Sequence, residues 1–493
     1  MHLGTLLKQA GLDTPDQKNA ECEVCGICSD SRRVKAGDLF VAIAGLSHDG
    51  YAHISEALQR GACFIVAERE VAGAPHLVVD DPREALARLW DAWYGHPTAE
   101  MKLVGITGTN GKTSCACMIE AILREACLPC GMIGTLGCFC NGKRIEAKSN
   151  NELANMTTPD PEQLYRVLAQ MRDGGVRYVV MEVTSHALTF SKVAPLFFER
   201  AVFTNLTPDH LDLHGDMESY FTEKRKLFDK ARAAVISCRS EYGVRLADSL
   251  SIPLFLLEEA CLQEIVCRGS EGVCFSLRTQ KGGNLALNVP IPGAFSVENS
   301  ALAAMTALSL GVSGQVVQNA LLGFKGVPGR MERVDDGAAG FSVFVDYAHT
   351  PDAMEKLLET VRDFRVQGER IVLLFGCGGD RDRSKRPVMG RIASRLADFL
   401  ILTSDNCRSE DPKAILHDIL RGVDKEKPFI VIPERKAAIS YAVKNAKKGD
   451  IVVLAGKGHE EYEITGKARL PFCEREIVRD CIRGRVREEG NAD

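Results

Sequence analysis

The sequence predicts an α/β protein of three domains, in which a central phosphate-loop domain with a mainly parallel sheet precedes a C-terminal Rossmann-like domain. Three observations predict it. Short apolar strands alternate with helix-length segments along most of the chain, the order that buries a parallel sheet between helices. A glycine-rich run, Gly108-Thr-Asn-Gly-Lys-Thr113, stands at a strand-to-helix junction. The 493 residues exceed what one hydrophobic core supports, so about one domain per 100–200 residues is expected, and Pro/Gly breaks divide the chain in three.

The first domain, residues 1–98, has strands at 39–43 and 63–67 and closes at the polar break His96-Pro97-Thr98. The second, residues 99–329, has strands at 103–107, 178–183 and 201–206, with a helical run over 116–124 after the glycine-rich segment. Gly326-Val-Pro-Gly-Arg330 ends it. In residues 330–493 strands recur at 343–345, 371–375, 399–403, 429–432 and 451–455, with helical stretches such as 414–420 between them. That is a doubly wound pattern, whose ligands bind at the carboxyl ends of the strands.

Composition narrows the function by exclusion. Hydrophobic content of 45% and charged content of 26% are those of a globular protein, and a net charge of -5 offers no attraction for nucleic acid or an anionic membrane. The N-terminus lacks an export signal and no apolar run approaches the roughly 20 residues of a membrane span, so a cytoplasmic protein is expected, without membrane insertion. The 18 cysteines are scattered and read as reduced thiols. Two pairs with Cys-x-x-Cys spacing, Cys25/Cys28 and Cys127/Cys130, lie too far apart for a zinc knuckle and read as buried structural thiols.

Between residues 104 and 114 the run reads Val-Gly-Ile-Thr-Gly-Thr-Asn-Gly-Lys-Thr-Ser. Glycines let backbone N–H groups approach phosphate oxygens, the helix N-terminus adds partial positive charge, Lys112 reaches terminal phosphates and the Thr113 hydroxyl suits Mg²⁺. A strict pattern has glycine at 106, where this chain has Ile106, so the match is to a variant built on Gly108 and Gly111. Glu182, at the end of its strand, is expected as the acidic partner of Mg²⁺. Asn205-Leu-Thr-Pro-Asp-His-Leu-Asp-Leu-His214 sets two histidines four apart, but Asp212 and the lack of a glutamate after His210 break the zinc-hydrolase pattern. His210 is expected near Mg²⁺ and His214 as structural.

These blocks, with Glu182 to Leu188, Gly329-Arg-Met-Glu-Arg-Val334, Asp346-Tyr-Ala-His-Thr-Pro-Asp352, Gly376-Cys-Gly-Gly-Asp-Arg-Asp382, Asp405-Asn-Cys-Arg408 and Gly456-Lys-Gly-His-Glu460, occur in the order found in the Mur ligases, which the chain resembles over almost its full length. The resemblance implies an N-terminal domain for a uridine nucleotide, a central ATPase and a C-terminal domain for an incoming amino acid. It implies that ATP meets Gly108, Thr109, Asn110, Gly111, Lys112, Thr113, Ser114, Asn299 and Asp346, with Ser296 and His349 at neighbouring family positions. Ser31, Thr157, Thr158, Ser185 and Lys192 look like contacts to the UDP-linked substrate, Lys192 replacing the family's usual arginine. Lys224 matches a lysine that takes up carbon dioxide as a carbamate and, with Thr113, Glu182 and His210, serves Mg²⁺. From the residues alone, 223–226 is a charge run on a solvated helix face.

The resemblance further implies amide-bond formation: ATP phosphorylates the terminal carboxylate of UDP-MurNAc-L-Ala-D-Glu, and the amine of meso-diaminopimelate attacks the acyl phosphate. Lys112, Glu182, His210 and Lys224 are the expected catalytic residues, with domain closure expected to exclude water. Arg381, Asp405, Asn406, Arg408, Gly456 and Glu460 match contacts to the amino acid. The second carboxylate of diaminopimelate, which lysine lacks, calls for a fork such as Arg408. Members that add diaminopimelate typically read Asp-Asn-Pro-Arg, and here Cys407 replaces the proline. L-lysine as substrate, a folylpolyglutamate synthetase and a phosphate-loop NTPase without ligase activity are the alternatives.

Overall fold

The computed structural model describes residues 1–14, 16–45, 49–145, 156–209, 211–280, 282–335, 339–466 and 468–490. By density of contacts the chain divides into two units, Met1–Glu259 with Leu302–Val317, and Ala260–Ala301 with Gln318–Asp493.

The first unit holds two sheets. β1 (Gly26–Cys28), β2 (Asp38–Val41), β3 (Phe64–Ala67) and β4 (His76–Val78) lie side by side in that order, all parallel. The larger sheet comprises β5 (Lys102–Thr107), β6 (Cys130–Gly134), β7 (Gly137–Cys140), β8 (Lys143–Ile145), β9 (Tyr178–Glu182), β10 (Phe198–Phe203), β11 (Ala234–Ser237) and β12 (Leu254–Leu257). Their spatial order is β12-β11-β10-β5-β9-β6-β7-β8, parallel except where β7 and β8 continue the edge as antiparallel strands. β5 and β9 are buried on both faces, which is why they read as unbroken apolar runs.

The helix Lys112–Glu125 buries Cys115, Met118, Ile119 and Ile122, the i, i+3, i+4, i+7 stripe of an amphipathic helix laid on a sheet. The helix Pro82–Trp93 starts with proline in its first turn behind Asp81, whose side chain accepts from the Arg83 N–H. One hydrophobic cluster runs from Leu3 to Ala247 and is shared by both sheets, so contact density does not part residue 98 from residue 99.

In the second unit, β13 (Leu262–Cys267), β14 (Val273–Arg278) and β15 (Asn284–Val289) form an antiparallel sheet. β16 (Glu332–Arg333), β17 (Ser342–Asp346), β18 (Ile371–Phe375), β19 (Phe399–Leu402), β20 (Phe429–Val431) and β21 (Ile451–Ala455) form the other, in the order β16-β17-β21-β18-β19-β20. All but β16 run parallel, and separate hydrophobic clusters cover the two faces, as in a doubly wound fold. β21 returns between β17 and β18, so the carboxyl ends of β17, β21, β18 and β19 lie side by side at a reversal of strand order, where such folds bind ligands. A hairpin of β22 (Tyr462–Thr465) and β23 (Ala468–Pro471) follows β21.

The strands read from sequence are present, most within a residue or two of their expected ends. β10 begins and ends three residues early because Thr204, Asn205 and Thr207 bond the phosphate loop instead. Among the described residues no helix is long and apolar enough to cross a membrane.

Candidate active site

The turn after β5 is shaped by close approach. Gly108 has φ +147°, and a Cβ placed on it would stand 1.9 Å from Thr204 Oγ1. Thr204 Oγ1 donates to the Asn110 carbonyl at 2.6 Å, Asn205 Oδ1 accepts from the Asn110 N–H at 3.0 Å, and the Thr109 N–H donates to the Asn205 carbonyl at 3.0 Å. The segment after β10 thus clamps the loop into one curve. Gly108→Ala should cost about 1–3 kcal/mol of backbone strain plus the clash. A lowered melting temperature with a raised KM for ATP checks this, and a variant with both unchanged would show that the curve is dispensable.

Lys112 Nζ donates to the carbonyls of Gly108 and Thr109 at 2.9 and 2.8 Å, so the ammonium lies inside the curve. Thr113, in the next helical position, donates through Oγ1 to Glu182 Oε2 at 2.9 Å. Glu182 Oε1 accepts from the Thr135 N–H at 2.8 Å. Glu182 is buried, and burial raises its carboxyl above the usual range against the opposing pull of Lys112 and these hydrogen bonds. Hydroxyls continue outward: Thr135 Oγ1 lies 3.4 Å from Thr113 Oγ1 and 3.1 Å from Thr157 Oγ1. Thr158 Oγ1 donates to the Glu182 carbonyl at 2.8 Å. The structure therefore brings Lys112, Thr113, Glu182, Thr157 and Thr158 together, with Thr135 as a member that the sequence reading missed.

Lys224 is not on a solvated face. It is 2% exposed, its Nζ donates to the Gly108 carbonyl at 3.0 Å, and it sits over the Tyr220 ring, 4.5 Å from the centroid. Burial, then the charge of Lys112, push its ammonium well below the ordinary lysine range, outweighing Asp209. The charge-run reading fails here because the helix Met217–Arg225 turns Tyr220, Phe221 and Lys224 inward, three and four residues apart.

His214 Nε2 lies 3.0 Å from Ser185 Oγ, and its ring stacks on Tyr220 at 4.9 Å. His210 lies outside the described residues. Lys192 Nζ pairs with Asp160 Oδ1 at 2.8 Å, bringing it to the segment that carries Thr157 and Thr158. Ser31 stands apart from these contacts: its Oγ donates to Glu56 Oε2 at 2.7 Å, while Arg33 pairs with Glu162 at 3.3 Å.

In the second unit Asn299 is buried on the helix Ala294–Ser309, and Ser296 Oγ donates to the Pro292 carbonyl. Asp346, the last residue of β17, is buried with its carboxyl raised by that burial, and its two oxygens accept from the N–H groups of Met331 and Ala348, each at 2.8 Å.

Asp405, Asn406, Arg408, Gly456 and Glu460 converge at the ends of β19 and β21. Gly456 has φ +119°, and a Cβ there would meet Asp405 Oδ2 at 2.8 Å. Burial raises the Asp405 carboxyl, but the charges of Arg435 and Lys457 outweigh it and hold the group below its usual value. Asn406 Nδ2 donates to Glu460 Oε2 at 2.8 Å. Arg408 takes a left-handed φ of 51°, its N–H donates to the Ile464 carbonyl at 3.1 Å, and Nη1 donates to the Gly379 carbonyl at 2.8 Å. Arg381 is exposed, and its Nη1 donates to the neighbouring Asp380 carbonyl at 3.1 Å. Lys457, fully buried among these residues, is a second member the sequence reading left unassigned.

Residues 23–94, 106–308 and 329–458 match the models for the Mur ligase family catalytic domain, the Mur ligase middle domain and the Mur ligase glutamate ligase domain. The chain is 42% identical over 492 residues, 98% of each chain, to a UDP-N-acetylmuramoyl-L-alanyl-D-glutamate–2,6-diaminopimelate ligase of Gloeobacter violaceus. It is 41% identical to the ligase of that name from Geobacillus kaustophilus, over 94% of this chain and 96% of the other. A solved structure with that name superposes with a TM-score of 0.72 at 29% identity, covering 99% of this chain and all of the other. A Mycobacterium tuberculosis folylpolyglutamate synthase superposes with a TM-score of 0.59 at 19% identity, over 76% of this chain and 92% of the other, a likeness of fold alone.

Proposed function

The chain belongs to the Mur ligase family, and from that premise we propose that it joins meso-diaminopimelate to UDP-MurNAc-L-Ala-D-Glu with hydrolysis of ATP to ADP and phosphate. It is an ADP-forming ligase of peptidoglycan precursor synthesis. The observation that carries this reading is the end-to-end likeness to relatives that bear those substrates in their names. The test is direct: purified protein with ATP, Mg²⁺ and the UDP-dipeptide, offered diaminopimelate and lysine separately, should release ADP only when an amine is present and should prefer diaminopimelate. ADP release without amine, or a preference for lysine, overturns it.

A carboxylate resists amines because its leaving group is poor. Transfer of the γ-phosphoryl group of ATP makes an acyl phosphate, the amine attacks its carbonyl carbon, phosphate leaves and the nitrogen gives up a proton. In our reading residues 1–98 bind the UDP moiety, 99–329 bind ATP and 330–493 bind the amino acid. The amides of residues 111–114, at the start of the helix Lys112–Glu125, receive the phosphates and Lys112 offsets the charge that builds on the transferred group. Thr157, Thr158, Ser185 and Lys192 bear on the peptide end of the UDP substrate, Ser31 on its nucleotide end, and Asn299 and Asp346 on ATP. Asp405, Asn406, Arg381, Arg408, Gly456 and Glu460 receive the amino acid, and the location is the cytoplasm, in keeping with consumption of ATP.

The oxygens of Thr113 and Glu182, 2.9 Å apart at the head of the loop, fit a hard cation, and we assign them to Mg²⁺ together with His210 and carbamoylated Lys224. What Mg²⁺ supplies when held there is neutralisation of phosphate charge. Lys224 fits its part because only an uncharged amine adds to carbon dioxide, R–NH₂ and CO₂ giving R–NH–COO⁻ and a proton, and burial keeps this amine uncharged to lower pH than an exposed lysine. In ¹³C-bicarbonate the active enzyme should therefore show a carbamate resonance that Lys224→Ala lacks, along with its activity. The resonance should fade as pH falls and the amine takes its proton. An active Lys224→Ala variant and no carbamate resonance would remove Lys224 from the mechanism.

A further inference from the structure

Below the residues expected to receive the amino acid lies a buried lysine with no assigned task. Lys457 is fully buried, and its Nζ donates to Asn406 Oδ1 at 2.9 Å and to the Tyr462 carbonyl at 3.0 Å, and lies 3.3 Å from Asp405 Oδ1. Asn406 Oδ1 also accepts from the Ile464 N–H at 2.9 Å. Two donors aimed at one atom of a carboxamide require that atom to be oxygen, because an NH₂ group has no lone pair to offer. The other end of Asn406 is therefore NH₂, and it donates to Glu460 Oε2 at 2.8 Å.

The orientation of Asn406 is thus decided from beneath. A carboxamide turned the other way would set its oxygen against the Glu460 carboxylate and its NH₂ against an ammonium and the Ile464 N–H, losing three hydrogen bonds and adding repulsion at both ends. Lys457 itself cannot drift, because it also binds the Tyr462 carbonyl at the start of β22. The frame under it is fixed in turn. Arg435 donates to the carbonyls of Ser404 and Ala455, each at 3.0 Å, tying the end of β21 to the loop after β19, and pairs with Glu474 at 2.7 Å.

We propose that Lys457 is a positioning residue for the incoming amino acid: it holds Asn406 in the one orientation that aims an N–H at Glu460, and so fixes the carboxylate that meets the substrate ammonium. The proposal rests on the assignment of Glu460 to the amino-acid site made above, its carboxylate being the group suited to the substrate ammonium. Lys457→Met keeps most of the side-chain volume and removes the donor. Its KM for meso-diaminopimelate should rise about 10- to 100-fold, the size of one lost buried hydrogen bond. Turnover at saturating amine and the KM values for ATP and the UDP-dipeptide should stay close to those of the parent, a split that general loosening of the fold would not produce. Lys457→Gln, which keeps an N–H for Asn406 without the charge, should lie between the two.

If Lys457→Met does not fold, the same split is read in Lys457→Gln. Failure of both to fold, an unchanged KM for the amine, or an equal rise for all three substrates overturns the positioning role. A parent enzyme that forms no amide bond from these substrates sinks the underlying assignment instead, so the two failures are distinguishable.

Discussion

Lys112→Ala is expected to lower ligation by about a hundred- to a thousand-fold or more, the loss that follows removal of one preorganised charge from a transition state. The ammonium lies within 3 Å of two carbonyls of the loop, Gly108 and Thr109, inside its curve. The negative charge that builds on the transferred phosphoryl group then has no mobile counter-charge to replace it. A second consequence follows from Lys224, whose proton affinity is lowered first by burial and next by the charge of Lys112. Removing Lys112 raises the proton affinity of Lys224, so at a fixed pH less of it is free to take up carbon dioxide. The carbamate resonance should weaken in Lys112→Ala and return as pH is raised, while ligation does not return with it. Near-normal turnover by this variant would overturn the assignment of the loop, whatever its effect on Lys224.

Many of the parallel strands were legible because burial on both faces leaves unbroken apolar runs, as in β5, β9, β18 and β21, whereas the parallel strands β1, β4, β6, β11 and β12 were not read. The antiparallel strands β13 to β15 were not read either. β15 mixes exposed, half-buried and buried positions without a regular period, polar Ser276 and Arg278 interrupt β14, and β13 is exposed at every residue after Leu262, so no apolar run marks them. Residues 1–98 end in a clear sequence break, yet the cluster that runs from Leu3 to Ala247 crosses it, because the helix Pro82–Trp93 before the break packs on the helix Pro161–Asp173 beyond it. A break in the chain pattern reports flexibility of connection and not the continuity of a core.

The site divides in the same way. Lys112, Thr113 and Glu182, which the structure brings together, could be picked out because two stand at a helix start after a glycine-rich turn and the third at a strand end, the pattern of a phosphate loop. Thr135 was missed because a threonine after a strand is common, and only the bonds of its N–H and hydroxyl to Glu182 give it meaning. Lys224 looks like one charge among four in 223–226, and only its inward turn beside Tyr220 separates it from Arg225 and Lys226. Lys457 sits inside a block that sequence picks out, but its work is done through Asn406, which no pattern along one chain segment reveals.

Arg408→Ala should collapse selectivity more than it reduces general activity. The residue is pinned at φ 51° by the hydrogen bonds of its own backbone, its N–H to the Ile464 carbonyl at 3.1 Å and its carbonyl from the Gly466 N–H at 2.7 Å. The strain of a left-handed conformation is common to arginine and alanine, so the substitution removes the guanidinium without shifting that balance. Nη1 is held by the Gly379 carbonyl at 2.8 Å, which fixes the plane of the fork, and Nε and Nη2 have no side-chain partner among the described residues. A substrate carboxylate meeting that free edge gains a charge-assisted pair, and losing it should cost diaminopimelate about 2–5 kcal/mol in kcat/KM. Lysine has an ammonium where diaminopimelate has its second amino acid head, and its poorer use should fall less, or rise as repulsion from the guanidinium disappears. Cys407→Pro should be nearly silent by contrast. The Cys407 N–H donates no hydrogen bond among the described residues, so proline would remove no backbone bond, only the weak Sγ–H contact to the Asp405 carbonyl at 3.4 Å, and would mainly restrict the unfolded chain. The measurement is the ratio of kcat/KM for the two amines in the parent, Arg408→Ala and Cys407→Pro. Equal losses for both amines in Arg408→Ala would mean that the guanidinium serves the Gly379 turn and not the substrate, and a parent that prefers lysine would end the diaminopimelate assignment.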